Sequence, residues 1–406
     1  MLNDAKRICL NAIDSCLPEK AVLDALKTFN IEKDVYLLAV GKAAYKMAKA
    51  ASEVLNIKKG YVISKYGHIQ GKLNNIECFE AGHPILDENS IRYSKLVVDE
   101  FSNLKDDDVV VFLLSGGASS LFELPIVELN VLQNINNQML KKGLDIHEIN
   151  TIRKRLSKTK GGRFANICEP ARIYSIILSD VLDDRLDMIG SGPTATDYTS
   201  IDDALKIIDK YQLNIDDDII ELMKNNSNFE VTNCENTIIG SVKILCENAK
   251  KEAEKLGYKT YVISDQINMN CIDAGNLLFK EIKKHINDNE DVAVIMAGET
   301  TVNVKGDGLG GRNQELVFSQ IENIKGLDNV LIMSLGSDGT DGPTDAAGAY
   351  IDGSSYQKLL DKNINYKEVL NNNDTYHGLD AIDSLIKTGP TGTNVNDITI
   401  ALIKSR

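Results

Sequence analysis

Glycine-rich loops with acidic residues and one isolated arginine follow short apolar strands in the C-terminal half of this chain. They begin at Gly298, at Lys305 and at Gly336. Successive glycines let backbone N–H groups converge on an anion, and a following helix adds the positive end of its dipole. Carboxylates beside such a loop suit a divalent cation. The pattern therefore predicts a site for a polyphosphate and a metal ion.

The loop at residues 305–312 offers the closest match to a phosphate-binding nest. Its glycines are Gly306, Gly308, Gly310 and Gly311. Three of them fit the spacing Gly-x-Gly-x-x-Gly, but a dinucleotide site also needs an acidic residue about 20 positions later, at the end of the next strand, and none is in register. Arg312 is more informative, because a guanidinium directly after a nest presents a fork to phosphate or carboxylate oxygens.

Acidic, hydroxyl and amide side chains in the neighbouring loops are candidate metal, nucleotide and substrate contacts. Asp338 and Thr340 follow a strand that ends at Leu335, Glu299 follows the predicted strand 292–296, and Asn394 precedes the last strand. An EF-hand is excluded because no Glu closes a twelve-residue loop. A solvated acidic turn would use the same residue types, but the place at a strand end favours a functional role.

Two strand-to-helix turns in the N-terminal half are further candidate anion sites. Lys42 opens a helix after an apolar strand, where a cation is electrostatically unfavourable unless an anion binds nearby. An exposed lysine explains the pattern equally well. The second turn contains Ser115, Gly116, Gly117 and Ser119. Its N–H and hydroxyl groups can bind phosphate or carboxylate, although tight helix packing favours the same small residues.

Asp180 follows the predicted strand 173–178. Open α/β sheets hold their ligands at the carboxyl ends of strands. A carboxylate there can bind a metal or accept the proton of a substrate hydroxyl. Capping of the next helix is the competing explanation. Asp180 is therefore a candidate metal ligand and a candidate general base.

Composition restricts the class of partner. The 406 residues include 59 acidic and 45 basic side chains, a formal net charge of −14, which argues against nucleic acid or an anionic membrane as partner. The seven cysteines form no C-x-x-C pair, as expected of buried reduced thiols in a cytoplasmic protein. No stretch approaches the roughly 20 apolar residues of a membrane span, and no signal peptide is evident.

Helices and strands alternate along the chain, which predicts parallel sheets covered by helices. The length exceeds one ordinary core, so we expect two α/β domains, residues 1–230 and 231–406, with a cleft between them. The predicted strands are 35–40, 61–64, 109–114, 173–178, 237–239, 260–263, 292–296, 301–304, 330–335 and 398–403. The close pair 292–296 and 301–304 leaves no room for a crossover helix, so part of the second sheet should be antiparallel.

Taken together, the loops resemble the glycerate 2-kinase family, whose C-terminal half is the MOFRL domain. The matching segments are VGKAA at 40–44, LSGGAS at 114–119, NTIRKR at 150–155, KGG at 160–162, SDV at 179–181, GSGPT at 190–194, GETT at 298–301, GGRNQE at 310–315, DGTDGPTDAAG at 338–348 and TGTNVND at 391–397. They keep the family's order, and their combination is highly specific. The family usually has Gly where Asp183 or Asp184 stands here.

The resemblance implies an ATP-dependent kinase that phosphorylates the 2-hydroxyl of D-glycerate to give 2-phosphoglycerate and ADP. It also implies a Rossmann-like N-terminal domain, a three-layer C-terminal domain with a mixed sheet, and an active site between them. The important lysine and arginine of the family look like Lys42 and Arg312.

Our sequence-based hypothesis places ATP with Mg²⁺ at the nest, with Asp338 and Thr340 at the nucleotide. The metal ligands come from Asp180, Glu299 and Asp338. The glycerate contacts are Ser115, Gly116, Gly117, Ser119 and Asn394. Lys42 and Arg312 neutralise charge on the transferring phosphoryl group, and Asp180 is the base.

Two other functions fit part of the pattern. A nicotinamide-dependent hydroxypyruvate reductase would use the Gly-x-Gly-x-x-Gly match, and a non-catalytic sugar-phosphate-binding regulator would need only the Ser-Gly-Gly turn. The abundance of carboxylates counts against the reductase. The sequence leaves a homodimer open, and it does not by itself separate the 2-hydroxyl from the 3-hydroxyl.

Overall fold

A computed structural model describes residues 1–405 and contains two compact units. The central unit is Pro18–Ile239, and the discontinuous unit joins Met1–Leu17 to the chain from Gly240 onward. In this arrangement the first helix belongs with the C-terminal half of the chain. The division into domains at residue 230 stays a prediction.

Twelve strands form the sheets of the described chain. They are β1 Val35–Val40, β2 Ile57–Lys65, β3 Ile76–Ala81, β4 Val109–Leu114, β5 Arg172–Leu178, β6 Cys234–Gly240, β7 Lys259–Ile267, β8 Val292–Gly298, β9 Val330–Gly336, β10 Gly348–Asp352, β11 Leu385–Ile386 and β12 Asp397–Ile403.

Sixteen α-helices accompany them in residues 1–405. They are α1 Leu2–Asp14, α2 Pro18–Leu26, α3 Ala44–Ser52, α4 Glu88–Phe101, α5 Ala118–Leu121, α6 Leu129–Lys141, α7 Ile146–Arg155, α8 Arg163–Ile167, α9 Ile201–Lys210, α10 Asp217–Asn225, α11 Val242–Lys255, α12 Cys271–His285, α13 Arg312–Phe318, α14 Ser355–Asp361, α15 Tyr366–Asn371 and α16 Thr375–Asp380. Within the described chain no helix combines the length and apolar character needed to cross a membrane.

The sheet of the central unit has the order β3-β2-β1-β4-β5-β6. The pairs β3/β2, β2/β1, β1/β4 and β4/β5 are parallel. Strands such as β4, with the sequence VVVFLL, are almost entirely buried, as a strand covered by helices on both faces must be. The strand order reverses between β1 and β4, and open α/β sheets bind their ligands at this switch point.

The sheet of the discontinuous unit has the order β11-β10-β9-β12-β8-β7. Only β7 and β8 are parallel, whereas β12 runs antiparallel to both β8 and β9. Every residue of β8, β9 and β12 is buried. The start of β12 therefore lies at the sheet edge where β8 and β9 end.

The structure confirms two α/β folds, the first with a parallel sheet and the second with a mixed one. The strand predicted at 237–239 is present as part of β6, but it joins the first sheet and not the second. Two other sequence-based details are wrong. Residues 301–304 form only an isolated bridge from Thr301 to Asn270, so the antiparallel pairing comes from β12 instead. The prediction also missed β3, β10 and β11, which are short or polar.

Helix termini follow local chemistry. The Ser241 hydroxyl accepts a hydrogen bond from Ile244 N at the start of α11, and Gly257 has φ +87° just after its end. Capping boxes begin α4, α7 and α9 at Asp87, Asp145 and Ser200. Such reciprocal bonds satisfy N–H groups that otherwise lack partners, so each helix begins at a defined residue.

The end of β8 depends on a glycine. A Cβ at Gly298 would lie 2.1 Å from the carbonyl oxygen of Ile267 on β7, and φ is +152°. We expect Gly298→Ala to lower the free energy of unfolding by about 2–3 kcal/mol, because the backbone must shift. Gly257→Ala is the control, since φ is also positive there but no atom lies within 4 Å; it should cost only about 1 kcal/mol. Equal losses in urea denaturation would contradict the steric argument.

Candidate active site

Arg312 stands at the N-terminus of α13 and is bound by two acidic residues. Its Nε and Nη2 donate to Asp397 Oδ2 and Oδ1 at 2.6 and 3.0 Å, and Nη1 lies 3.0 Å from Glu299 Oε1. Asp397 begins β12, and Glu299 follows β8. Since a guanidinium carries five N–H groups, two remain for another acceptor.

Burial and pairing oppose each other at Asp397, which is 5% exposed. Burial raises the pKa of Asp397 to about 6, although the hydrogen bond and charge of Arg312 act in the opposite direction. Burial also acts to lower the pKa of Arg312, but the bonds and charges of Asp397 and Glu299 outweigh it and raise that pKa. The pair is therefore charged at neutral pH, and Arg312 is held in one orientation.

Asp341 stabilises the N-terminus of α13. Its carboxylate accepts from the backbone N–H groups of Asn313 at 3.1 Å and Gln314 at 2.8 Å. Burial raises the pKa of Asp341, and these bonds lower it. The carboxylates of Asp341, Glu299 and Asp397 surround the guanidinium of Arg312. Because acidic groups are in excess, binding of a polyphosphate nearby would favour a further cation.

Most N–H groups of the predicted nest bind the chain itself. Lys305 N and Gly306 N donate to Asn373 Oδ1 at 2.7 and 3.1 Å. Asp307 N, Gly308 N and Leu309 N donate to Asn372 or Asp374. Over the described residues, the N–H groups of Gly310, Gly311 and Arg312 donate to no acceptor of the chain. This conformation restricts phosphate contact to residues 310–312, and Gly306 and Gly308 shape the loop.

The other predicted residues of this unit lie in the loops after β9 and before β12. Asp338 Oδ1 accepts from both the N–H and the hydroxyl of Thr340, at 2.9 and 3.1 Å. Asn394 is exposed, and its Oδ1 accepts from Asn396 N at 3.3 Å. Asp338 keeps one carboxylate oxygen outside the turn it stabilises, which suits a metal bound mainly through substrate phosphates.

Lys42, Gly116, Gly117 and Asp180 lie together at the carboxyl ends of β1, β4 and β5. Lys42 N donates to Gly116 O at 2.9 Å. A Cβ at Gly116 would lie 2.3 Å from Asp180 Oδ2, so only glycine allows this approach. The Lys42 side chain is exposed. The N–H groups of Gly116 and Gly117 bind no acceptor within residues 1–405, which leaves them for an anion.

Ser115 links the turn after β4 to the turn after β1. Its hydroxyl accepts from Ala43 N at 3.1 Å and donates to Val40 O at 3.2 Å. The side chain is 1% exposed. Ser115 therefore fixes the position of Lys42 relative to the Ser-Gly-Gly turn, and a direct substrate contact through its hydroxyl is not supported.

Ser119 lies on the following short helix α5. Its hydroxyl is 3.1 Å from that of Ser191, which donates to Asn150 Oδ1 at 3.0 Å. Ser191 and Asn150 come from the GSGPT and NTIRKR segments, so three separate motifs meet in this unit. The sequence alone could not show that they are neighbours.

The predicted metal ligands are divided between the two units. In the described chain, no group of three or more His, Cys, Asp or Glu side chains is placed to hold a metal ion. Glu299 and Asp338 belong to the discontinuous unit and Asp180 to the central one. Magnesium at phosphoryl-transfer sites typically uses one or two protein carboxylates and substrate oxygens, so Glu299 and Asp338 still fit that role.

Sequence reasoning missed His83 and the pairing of Arg312 with Asp397. A Cβ at Gly117 would lie 2.8 Å from His83 Cδ2. Burial lowers the pKa of His83, and the charge of Lys42 acts in the same direction. His83 occurs in no motif, so no sequence signal marks it. The pairing of Asp397 follows only from the antiparallel register of β12.

The pKa of Asp397 has a consequence for stability. The pKa of Asp397 is higher in the folded chain than in the unfolded chain, so binding of the proton stabilises the fold. This stabilisation is lost as the pH rises from about 4 to about 6. Relative to Asp397→Asn, the wild type should lose about 2 kcal/mol of unfolding free energy between pH 4.5 and pH 7.5. Urea denaturation of both proteins measures the difference. A relative gain instead would mean that Arg312 dominates the ionisation of Asp397.

Comparison with known proteins gives two family matches. A domain of unknown function, DUF4147, matches residues 4–224, and the MOFRL family matches residues 292–397. The D-glycerate 2-kinase of Thermotoga maritima is 44% identical, with 98% of this chain and 97% of that protein covered. The glycerate 2-kinase of Pyrococcus horikoshii is 38% identical, with 98% and 97% covered.

The crystal structure of glycerate kinase from Thermotoga maritima has a TM-score of 0.94 and 42% identity to this chain, and the match covers 99% of each. A more distant relative from Agrobacterium vitis has the provisional name hydroxypyruvate reductase; it is 32% identical, with 90% of this chain and 98% of that protein covered. The similarity extends through both compact units and confirms the resemblance found in the loops. The chain belongs to the glycerate 2-kinase family that contains the DUF4147 and MOFRL domains.

Proposed function

We propose that this protein is a D-glycerate 2-kinase that transfers the γ-phosphoryl group of ATP to the 2-hydroxyl of D-glycerate, giving 2-phosphoglycerate and ADP. The observation that carries the proposal is the full-length similarity to glycerate 2-kinases. The geometry of the central unit supports it, because Lys42, Gly116, Gly117 and Asp180 lie together at the switch point of its sheet.

Phosphoryl transfer requires positioning and charge neutralisation more than covalent chemistry. Lys42 supplies an exposed ammonium group, and Gly116 and Gly117 supply N–H donors for an anion. Asp180 lies against Gly116, where it would accept the proton of the attacking hydroxyl. Arg312 has two N–H groups left for phosphate oxygens, and Asp397 and Glu299 hold its fork.

The nucleotide contacts follow from the same geometry. The free N–H groups of Gly310, Gly311 and Arg312 suit phosphate oxygens, with Asp338 and Thr340 in the adjacent loop. Mg²⁺, held through Glu299 and Asp338, would supply the positive charge that Arg312 cannot, since acidic neighbours already balance it. Gly306 and Gly308 support the loop, because their N–H groups are engaged with residues 372–374.

The reaction assay separates this function from its rivals. We expect ADP formation that requires D-glycerate and a divalent ion, and ³¹P NMR should show 2-phosphoglycerate. Oxidation of NADH with hydroxypyruvate, without ADP formation from glycerate, would favour the reductase. Glycerate binding with neither reaction would favour a regulator. A 3-phosphoglycerate product would contradict the predicted position of transfer.

The positively charged side chains of Lys42 and Arg312 should control the rate of phosphoryl transfer. Lys42→Ala and Arg312→Lys should each lower kcat about 10²–10³-fold, since each removes charge or bidentate geometry that stabilises the transition state. Lys49→Ala on α3 and Arg7→Lys on α1 are matched exposed controls and should retain wild-type rates. Circular dichroism and urea midpoints establish that the variants fold. Rates within twofold of the wild type for both site variants would exclude these roles.

A further inference from the structure

A cavity of about 330 Å³ opens beside the Ser-Gly-Gly turn of the central unit. This volume is at the lower end of the roughly 300–1,000 Å³ typical of small-molecule sites. Gly117 and Ser119 form one side, Leu132 and Asn137 of α6 form another, and Arg153 of α7 a third. All the lining residues belong to one compact unit. The cavity thus adjoins the turn proposed to bind glycerate.

One wall contains a buried acidic group with a spare acceptor. Glu123 lines the cavity, and its side chain is 4% exposed. Its Oε2 pairs with the fully buried Lys160 at 3.0 Å, whereas Oε1 has no hydrogen-bond partner. Lys160 also donates to the carbonyl oxygens of Ser119 and Phe122, so its position is fixed. A buried acceptor without a partner is costly, and Oε1 is shielded from solvent. A ligand hydroxyl would satisfy it once the Glu123 side chain turns toward the cavity.

The opposite charge on the wall belongs to Arg153. Its Nε donates to Asn136 Oδ1 at 2.8 Å, which orients the guanidinium. Its Nη1 and Nη2 atoms have no partner among the described residues. Burial lowers the pKa of Arg153, and the charge of Glu123 partly compensates. A planar fork with free terminal nitrogens is the usual means of binding a carboxylate in two places.

The charges around the cavity define what it would bind. Glu123 is already paired with Lys160, which lies behind the wall, so Arg153 leaves one positive charge in excess at the cavity. His83, which also lines the cavity, is disfavoured in its charged form because burial and Lys42 lower its pKa. A ligand with one negative charge and one or more hydroxyls would balance the charge and satisfy Glu123. Leu132 and Leu140 offer apolar contact to a short carbon skeleton.

We propose that this cavity is the pocket for the hydroxy-acid substrate, in which Arg153 binds the carboxylate and Glu123 accepts a hydrogen bond from a hydroxyl. This inference rests on the proposed kinase function and adds substrate-binding residues outside the loops discussed above. It also predicts that the protein prefers an acid to a polyol. Neutral triols leave the charge of Arg153 unpaired, and plain carboxylic acids leave Oε1 of Glu123 unpaired.

Calorimetric titration without nucleotide tests the pocket separately from the reaction. Wild-type protein should bind D-glycerate at least tenfold more tightly than glycerol, which lacks the carboxylate, or propionate, which lacks the hydroxyls. Arg153→Met should weaken D-glycerate binding at least tenfold and remove most of the preference over glycerol. In turnover, it should raise KM for D-glycerate while KM for ATP changes less than twofold.

A second variant blocks the cavity without altering its charges. Asn137→Trp starts from an exposed lining position and should also raise KM for D-glycerate, whereas Asn134→Trp, exposed on the same helix but outside the cavity, should not. Arg172→Met is the exposed arginine control. Unchanged glycerate binding in both cavity variants, or a larger effect on KM for ATP, would overturn the proposal while leaving the kinase function intact. If the wild type has no kinase activity but the cavity variants still lose glycerate binding, the pocket is supported and the kinase function is rejected.

Discussion

The buried hydroxyl of Ser115 is the contact on which the central unit's site depends. It receives the N–H of Ala43 and donates to Val40 O, so the turn after β1 and the turn after β4 form one rigid piece. Gly41 permits this contact, because a Cβ there would lie 2.4 Å from Ser115 O. Lys42, Gly116 and Gly117 are consequently placed by the backbone, and such preorganisation lets donors meet developing charge without reorganising.

Charge in the discontinuous unit is organised differently. Arg312 does not present a free guanidinium, since Asp397 and Glu299 take three of its five N–H groups. The cost of this arrangement is a carboxylate buried at the start of β12, and the benefit is a fork with a fixed direction. An arginine without these partners would contribute more net positive charge, but its guanidinium would have no fixed direction. The excess of acidic groups is the reason we propose a divalent cation in the reaction.

We therefore propose that the organic substrate and the phosphate groups bind to different kinds of protein groups. Glycines and cations at loop ends suit phosphate oxygens, which need many donors and little shape. The cavity lined by Glu123 and Arg153 instead offers one acceptor, one fork and an apolar wall. Discrimination among small acids requires such paired polar groups, because an analogue that lacks one partner leaves a buried group unsatisfied.

The sequence by itself determined the alternation of elements, the strands β1, β4 and β12 within one residue at either end, the loops that carry charge, and the family. These features depend on neighbours along the chain, such as apolar runs, glycines and caps. It could not reveal that β6 completes the first sheet, or that β12 pairs with β8 and β9, because strand pairing joins residues that are distant in sequence. Only the tertiary structure showed that residues 372–374 occupy the N–H groups of the predicted nest. The same long-range packing decided the partners of Arg312 and left Glu123 Oε1 unpaired beside a cavity.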